Sequence, residues 1–280
     1  MLPVICWMWR DKMSDRLLEV TDLKAGYEDQ VIVDGVSFEL AENEVLGIVG
    51  ESGCGKSTLL KALINPKEYG VRIFDGQAVF QGRDLFGLSD RERKELYGKD
   101  ISMVFQNSSS SFHPIRTYKK QFTETLKSHA LWDRESSIKQ IMKTLERVNL
   151  KDRERILESC PYELSGGMNQ RVGIAMAILL NPKLFLADEP TSALDVTVQK
   201  QIVEELLELH HKMKNSMILI THNMGVAARM CDRIAVMYEG KIVECEQTQI
   251  LLKNPVHPYT RELLAAVPRL GRWQKLEESE

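Results

Sequence analysis

Gly50-Glu51-Ser52-Gly53-Cys54-Gly55-Lys56-Ser57-Thr58 is the stretch from which the rest of the chain is read. It satisfies G-x-x-x-x-G-K-[ST] at every defined position. The apolar run VLGIV at 45–49 precedes it, and the helix-compatible STLLKALI at 57–64 extends from its end. Glycines let successive backbone N–H groups turn inward around an anion, and the positive end of the following helix adds to the field. The loop therefore predicts a nucleoside triphosphate held by its phosphates, with Lys56 on the β and γ phosphates and the Ser57 hydroxyl on Mg²⁺.

Upstream, LLEV at 17–20 and VSFEL at 36–40 are short β-like runs, set apart by Gly26 and Asp34-Gly35, which suggests a β-rich N-terminal portion. Downstream, between about 107 and 180, Ile138, Ile141, Met142, Leu145 and Val148 recur at helical spacing with charges between them. Buried-strand runs then return as LFLA at 184–187 and MILI at 217–220, separated by a helix with Ile202, Val203, Leu206 and Leu209 on one side. That alternation predicts a parallel sheet flanked by helices. RIAVMYEGKIVEC at 233–245 reads as two strands joined at Glu239-Gly240.

Composition narrows the possible roles. Lys and Arg number 37 against 40 Asp and Glu, a formal charge of −3, so no global basic field draws the chain to nucleic acid. The five cysteines have neither paired nor metal-ligand spacing, which fits free thiols in a reducing compartment. No run approaches the roughly 20 apolar residues that span a bilayer, so a membrane role requires partner subunits. The apolar opening at 1–9 lacks signal-peptide flanks and reads as an over-extended start, with Met13 of MSDRLLEV beginning the natural chain.

Two further motifs carry chemistry. The buried strand ending at Asp188-Glu189 places two carboxylates where one can hold a metal and the other polarise a water molecule: Asp188 the metal residue, Glu189 the general base. Taken alone, such a pair is an ordinary solvated strand end; with the glycine loop upstream it becomes the second half of a nucleotide site. Leu164-Ser165-Gly166-Gly167-Met168 lies just ahead of an apolar helix. Ser165 caps that helix while Gly166 and Gly167 expose its first N–H groups, forming a second anion site that one nucleotide cannot easily need from the same subunit.

This combination resembles the nucleotide-binding subunit of an ABC transporter, from about 17 to 268 and with the motifs in the family's order. The resemblance implies an α/β fold: a P-loop NTPase, ABC-type nucleotide-binding domain at 17–252, with an N-terminal antiparallel β portion and a helical subdomain inserted at about 107–180. Residues 1–16 form an extension expected to be poorly ordered, and 253–280 a tail. It further implies two such subunits sandwiching two ATP molecules, each between one subunit's Gly50–Thr58 loop and the other's Ser165-Gly166-Gly167. Tyr27 matches the aromatic stacked on adenine, Gln106 the glutamine that touches Mg²⁺ and senses the membrane partner, Asp195 the segment crossing the dimer interface, and His222 the γ-phosphate histidine. Ser52, Gly53, Cys54, Gly55 and Thr58 belong with Gly50, Lys56 and Ser57 to the ATP loop.

Two departures refine the match. After Gln106 the family more often carries an acidic-Pro pair and Leu-Asn-Pro, whereas this chain has NSSSSFHP. Met168 stands where the general family has Gln, and together with NPVHPYTR at 254–261 it is similar to the dipeptide, oligopeptide and nickel import branch. As chemistry, His257-Pro258-Tyr259 reads as a rigid turn into a helix. Longer peptide-import members carry a cysteine cluster beyond this segment; no cysteine follows Cys245, so an iron–sulfur site is not expected. Peptide ranks first as cargo and nickel or a metal chelate second. The implied partners are a second ABC ATPase subunit (a related heterodimer partner, with a homodimer open), two transmembrane permease subunits and an extracytoplasmic solute-binding protein, at the cytoplasmic face of the membrane. A soluble ABC-type ATPase of DNA repair or translation would show tandem cassettes, a long coiled-coil insertion or a basic surface, and the sequence has none of these. A module that holds ATP without hydrolysing it is disfavoured by Glu189, His222 and the intact loop.

Overall fold

The computed structural model describes residues 16–266 apart from Ala193, so residues 1–15 of the expected extension, the Met13 start and the end of the expected tail lie outside the described residues. In chain order the elements are β1 (Arg16–Tyr27), β2 (Gln30–Ala41), β3 (Val45–Val49), α1 (Lys56–Ile64), β4 (Val71–Phe80), β5 (Arg83–Asp84), α2 (Asp90–Leu96) and β6 (Ile101–Val104). The helices α3 (Tyr118–Ser128), α4 (Arg134–Arg147), α5 (Arg153–Glu158) and α6 (Gly166–Ile178) follow. Then come β7 (Leu184–Asp188), α7 (Val196–Met213), β8 (Ser216–Thr221), α8 (Met224–Met230), β9 (Arg233–Tyr238), β10 (Lys241–Gln247), α9 (Thr248–Lys253) and α10 (Pro258–Ala265). The described chain forms two compact units: 16–40, 44–78 and 219–266 in one, 41–43 and 79–218 in the other.

In the first unit β2, β1 and β4 are hydrogen-bonded in that order, and β10, β9 and β3 in another sheet. Strands β1 and β2 run on through the glycines that the sequence marks as separators, turning only at Glu28-Asp29. Gly26 serves close approach instead: a Cβ there would lie 1.9 Å from the Gln30 carbonyl oxygen. All five residues of β3 are buried, as a strand covered on both faces requires. It pairs in parallel with β9, Leu46 opposite Arg233 and Val49 opposite Val236. The Val45 N–H donates to Asp232 Oδ2 at 2.8 Å, fixing where that pairing starts. The β9–β10 hairpin turns on Glu239 (φ 44°) and Gly240 (φ 80°), the pair of left-handed residues that matches strand twist.

In the second unit β6 and β7 are parallel, Ile101 opposite Leu184 and Val104 opposite Ala187, and the Ser216 N–H of β8 donates to the Lys183 carbonyl at 2.8 Å. Helix α2 begins with a capping box in which Ser89 and Glu92 satisfy each other's backbone N–H groups. The helical region buries Tyr118, Phe122 and Leu126 from α3 and Ile141 and Leu145 from α4, each set on one face. Helix α6 is buried over most of its circumference, from Asn169 to Ile178. Gly173 lets it come close: a Cβ there would meet Ser108 Oγ at 2.5 Å.

Helices α6 and α7 are joined by a nearly buried fork, with Arg171 Nε 3.0 Å from Glu205 Oε2 and Arg171 Nη2 3.0 Å from Glu205 Oε1. Only 15% and 9% of the two side chains is exposed, so removing one partner strands a desolvated charge. Glu205→Ala is expected to destabilise the protein by about 3 kcal/mol in urea unfolding, whereas Arg171→Leu combined with Glu205→Leu should lie much closer to the parent.

Candidate functional site

In the first unit the chain leaves buried β3 at Val49, loops from Gly50 to Gly55 and enters α1 at Lys56. Glu51, Ser52 and Gly53 are exposed, whereas Gly55, Lys56 and Thr58 are buried, so the loop has a solvent face and a rooted face. Two glycines are obligatory for different reasons. Gly55, at φ 107°, holds the left-handed N-cap of α1, and a Cβ at Gly50 would lie 2.1 Å from the Met237 carbonyl oxygen. The N-cap residue Gly55 has no side chain with which to cap α1.

Lys56 is 5% exposed, and its Nζ donates to the Gly50 carbonyl at 2.8 Å and the Glu51 carbonyl at 2.7 Å. An ammonium ion taken out of water must be hydrogen-bonded, and here the loop's own carbonyls do it. The loop is tied to the β9–β10 turn by the Gly240 N–H, which donates to the Cys54 carbonyl at 3.1 Å. It is tied also to α10: the Glu51 N–H donates to the Tyr259 hydroxyl at 2.9 Å. Nothing in the sequence signalled that contact between residues 208 apart. Burial raises the Tyr259 pKa, which keeps the hydroxyl protonated at neutral pH. Tyr27, half-buried, ends β1, and exposed His222 directly follows β8.

The second unit carries the acidic pair. Asp188 closes β7 at 6% exposure, and Glu189, half-buried with φ 44°, turns the chain out of the strand. Gln106 leaves the corresponding end of neighbouring β6, and its Nε2 donates to Glu189 Oε2 at 3.3 Å. Parallel pairing of β6 with β7 is what brings these two side chains together. Glu189 is further fixed through its carbonyl, which accepts the Ser192 N–H and hydroxyl, both at 3.2 Å.

Ser165 caps α6 by accepting the Met168 N–H at 3.3 Å. Ser165 and Gly166 are exposed, and a Cβ at Gly167 would come within 3.0 Å of Val198 Cγ1 in α7. Asp195 caps α7 by accepting the Thr197 and Val198 N–H groups at 3.1 and 3.0 Å. The Ser165–Gly167 segment therefore lies against the start of α7. Oxygen donors from Ser57, Gln106 and Asp188 have the hard-ligand chemistry that suits Mg²⁺. Among the described residues no cluster of three or more His, Cys, Asp and Glu is placed to hold a metal ion.

The family model described as ABC transporter matches residues 33–192, and the one described as oligopeptide/dipeptide transporter, C-terminal region matches 243–280. The oligopeptide transport ATP-binding protein OppD of Bacillus subtilis is 44% identical, over 91% of this chain and 73% of that protein. The metal-staphylopine import system ATP-binding protein CntD of Staphylococcus aureus is 40% identical, over 91% of this chain and 92% of its own. Among solved structures, a dimeric post-hydrolysis state of the ATP-binding cassette MJ0796 with ADP and Pi superposes with a TM-score of 0.73, at 26% identity, over 82% of this chain and 98% of that one.

Gly50→Ala forces its methyl group against the Met237 carbonyl, so the loop must shift. A stability loss of about 1–3 kcal/mol by thermal unfolding is expected, together with loss of nucleotide affinity by titration calorimetry.

Proposed function

The chain belongs to the ABC transporter family, and on that premise we propose that it is the ATP-hydrolysing subunit of a peptide importer, with one role for each residue of the site. Lys56 neutralises the β and γ phosphates once it exchanges its two loop carbonyls for phosphate oxygens, a transfer that keeps its buried charge satisfied throughout. The backbone N–H groups from Ser52 to Thr58 hold the remaining phosphate oxygens, and Tyr27 stacks on the adenine. Ser57, Gln106 and Asp188 would hold Mg²⁺, which would supply charge neutralisation at the phosphates.

Glu189 takes the proton of the attacking water. Its carboxylate is oriented by the Gln106 amide, and its backbone by Ser192. His222 contacts the γ-phosphate. The bond formed joins the water oxygen to phosphorus and the bond broken is the one to the ADP oxygen, giving ADP and phosphate. Ser165, Gly166 and Gly167 present donors to the nucleotide held by a partner ATPase, and Asp195 lies at the start of the helix beside them. ATP then closes the dimer and hydrolysis reopens it, moving two permease subunits that receive cargo from a solute-binding protein. No helix among the described residues is long and apolar enough to cross a membrane, which suits a subunit bound peripherally at the cytoplasmic face.

The observation that carries the peptide assignment is the match of 243–280 to the oligopeptide/dipeptide C-terminal region, joined in one chain to the phosphate loop. Import of a metal chelate is the second reading, favoured by the likeness to the metal-staphylopine ATPase over 92% of its length.

In the complex reconstituted with its permeases, Glu189→Gln should lower steady-state ATP turnover by about 100-fold or more, with ATP still bound; unchanged turnover would remove Glu189 as the base. Lys56→Ala should abolish ATP binding to the full chain in equilibrium dialysis. Uptake of labelled oligopeptide into proteoliposomes, against nickel and a nickel chelate, decides between the two cargoes.

A further inference from the structure

The peptide unit joining Gly50 to Glu51 is gripped from both sides. Its carbonyl oxygen, on Gly50, accepts from Lys56 Nζ at 2.8 Å, and its N–H, on Glu51, donates to the Tyr259 hydroxyl at 2.9 Å. The first grip is temporary, because the ammonium that makes it is the group that must turn to the phosphates. The second comes from outside the loop. We infer that Tyr259 is a positioning residue for the phosphate loop: it holds the Gly50–Glu51 peptide in the ATP-receiving orientation while Lys56 changes partners. The inference rests on the reading that this loop binds ATP.

Tyr259 is itself well anchored. Its ring lies 4.3 Å, centroid to centroid, from that of Tyr238 at the end of β9, and 7% of the residue is exposed. The segment leading to it is bound to β10. Glu244, 8% exposed, accepts the Val256 N–H at 2.8 Å through Oε1 and the His257 N–H at 2.9 Å through Oε2. His257 Nδ1 then accepts the Tyr259 N–H at 3.2 Å, and Arg261 Nε donates to the Pro255 carbonyl at 3.0 Å. Because β10, β9 and β3 are successive neighbours in one sheet, the hydroxyl and the peptide that it holds are referred to the same frame. A Tyr at 259 thus has a task that the turn-forming residues around it do not explain. Pro258 and His257 start the helix, and the Tyr259 phenol reaches the loop.

Removing the hydroxyl while keeping the ring isolates the effect. In Tyr259→Phe the tilted ring contact with Tyr238 remains, but the Glu51 N–H loses its acceptor. The full-length chain is titrated with ATP by calorimetry, and backbone hydrogen exchange is followed with and without ATP. In the parent, the Glu51 amide should be protected in both states. Tyr259→Phe should lose that protection, raise the ATP Kd about 3- to 10-fold and leave kcat at saturating ATP within about twofold, with the melting temperature close to the parent's. Tyr238→Phe, which keeps both rings, should leave the Kd unchanged.

An unprotected Glu51 amide in the ATP-bound parent would overturn the inference. So would an unchanged Kd in Tyr259→Phe, or an equal rise in Tyr238→Phe, in a parent that binds ATP. A parent chain that binds no ATP would instead remove the nucleotide reading on which the inference rests, which separates the two failures.

Discussion

A buried ammonium group that has to be hydrogen-bonded is the constraint from which the phosphate loop takes its shape. Lys56 sits at the first position of α1 with 5% of its surface exposed, in a place where an unpaired charge would be intolerable. Two carbonyls, of Gly50 and Glu51, point inward to satisfy it, and doing so curls the backbone and leaves Glu51 to Gly53 facing solvent. The requirements at Gly50 and Gly55 follow: one must pass close to the Met237 carbonyl, the other must adopt a left-handed N-cap. In the proposed function a triphosphate would offer the ammonium charged acceptors in place of these carbonyls, so the loop would need exchange of partners and not assembly.

The second unit uses strand register for a similar purpose. Parallel pairing of β6 with β7 aligns Gln106 with Glu189, and the left-handed turn at Glu189 swings its carboxylate off the strand axis. The Arg171–Glu205 fork joins the helix carrying the LSGG segment to the one capped by Asp195.

The loop, the acidic pair and the LSGG cap were legible in the sequence because each depends on local backbone demands that only a few residue types meet. The hairpin at Glu239-Gly240 was legible for the same reason. Gly26 and Asp34-Gly35 misled: Gly26 admits the Gln30 carbonyl, and Gly35 takes a φ of 69° inside a continuous strand, yet in sequence both look like residues that make a turn. The Ser89–Glu92 capping box of α2 was present as a pattern and went unread. Glu189 was read from the acidic end of its strand and Gln106 only from the family resemblance; across 83 residues, spacing gave no hint that the two side chains meet. Tyr259 was read as a residue of a stiff turn, and its reach to Glu51 depends on the order of three strands that no local pattern encodes.

That strand order also has a consequence for the time at which the loop becomes competent. Ribosomes deliver Gly50 to Thr58 early, yet β9 beside β3, Gly240 against Cys54 and Tyr259 against Glu51 all come from the last part of the described chain. Contacts so distant in sequence close late, and parallel pairing cannot form before its second strand exists. A nascent chain therefore carries the complete nucleotide motif for most of its synthesis without the frame that shapes it. The loop's neighbours are thus settled only after β9, the hairpin turn and Tyr259 have emerged.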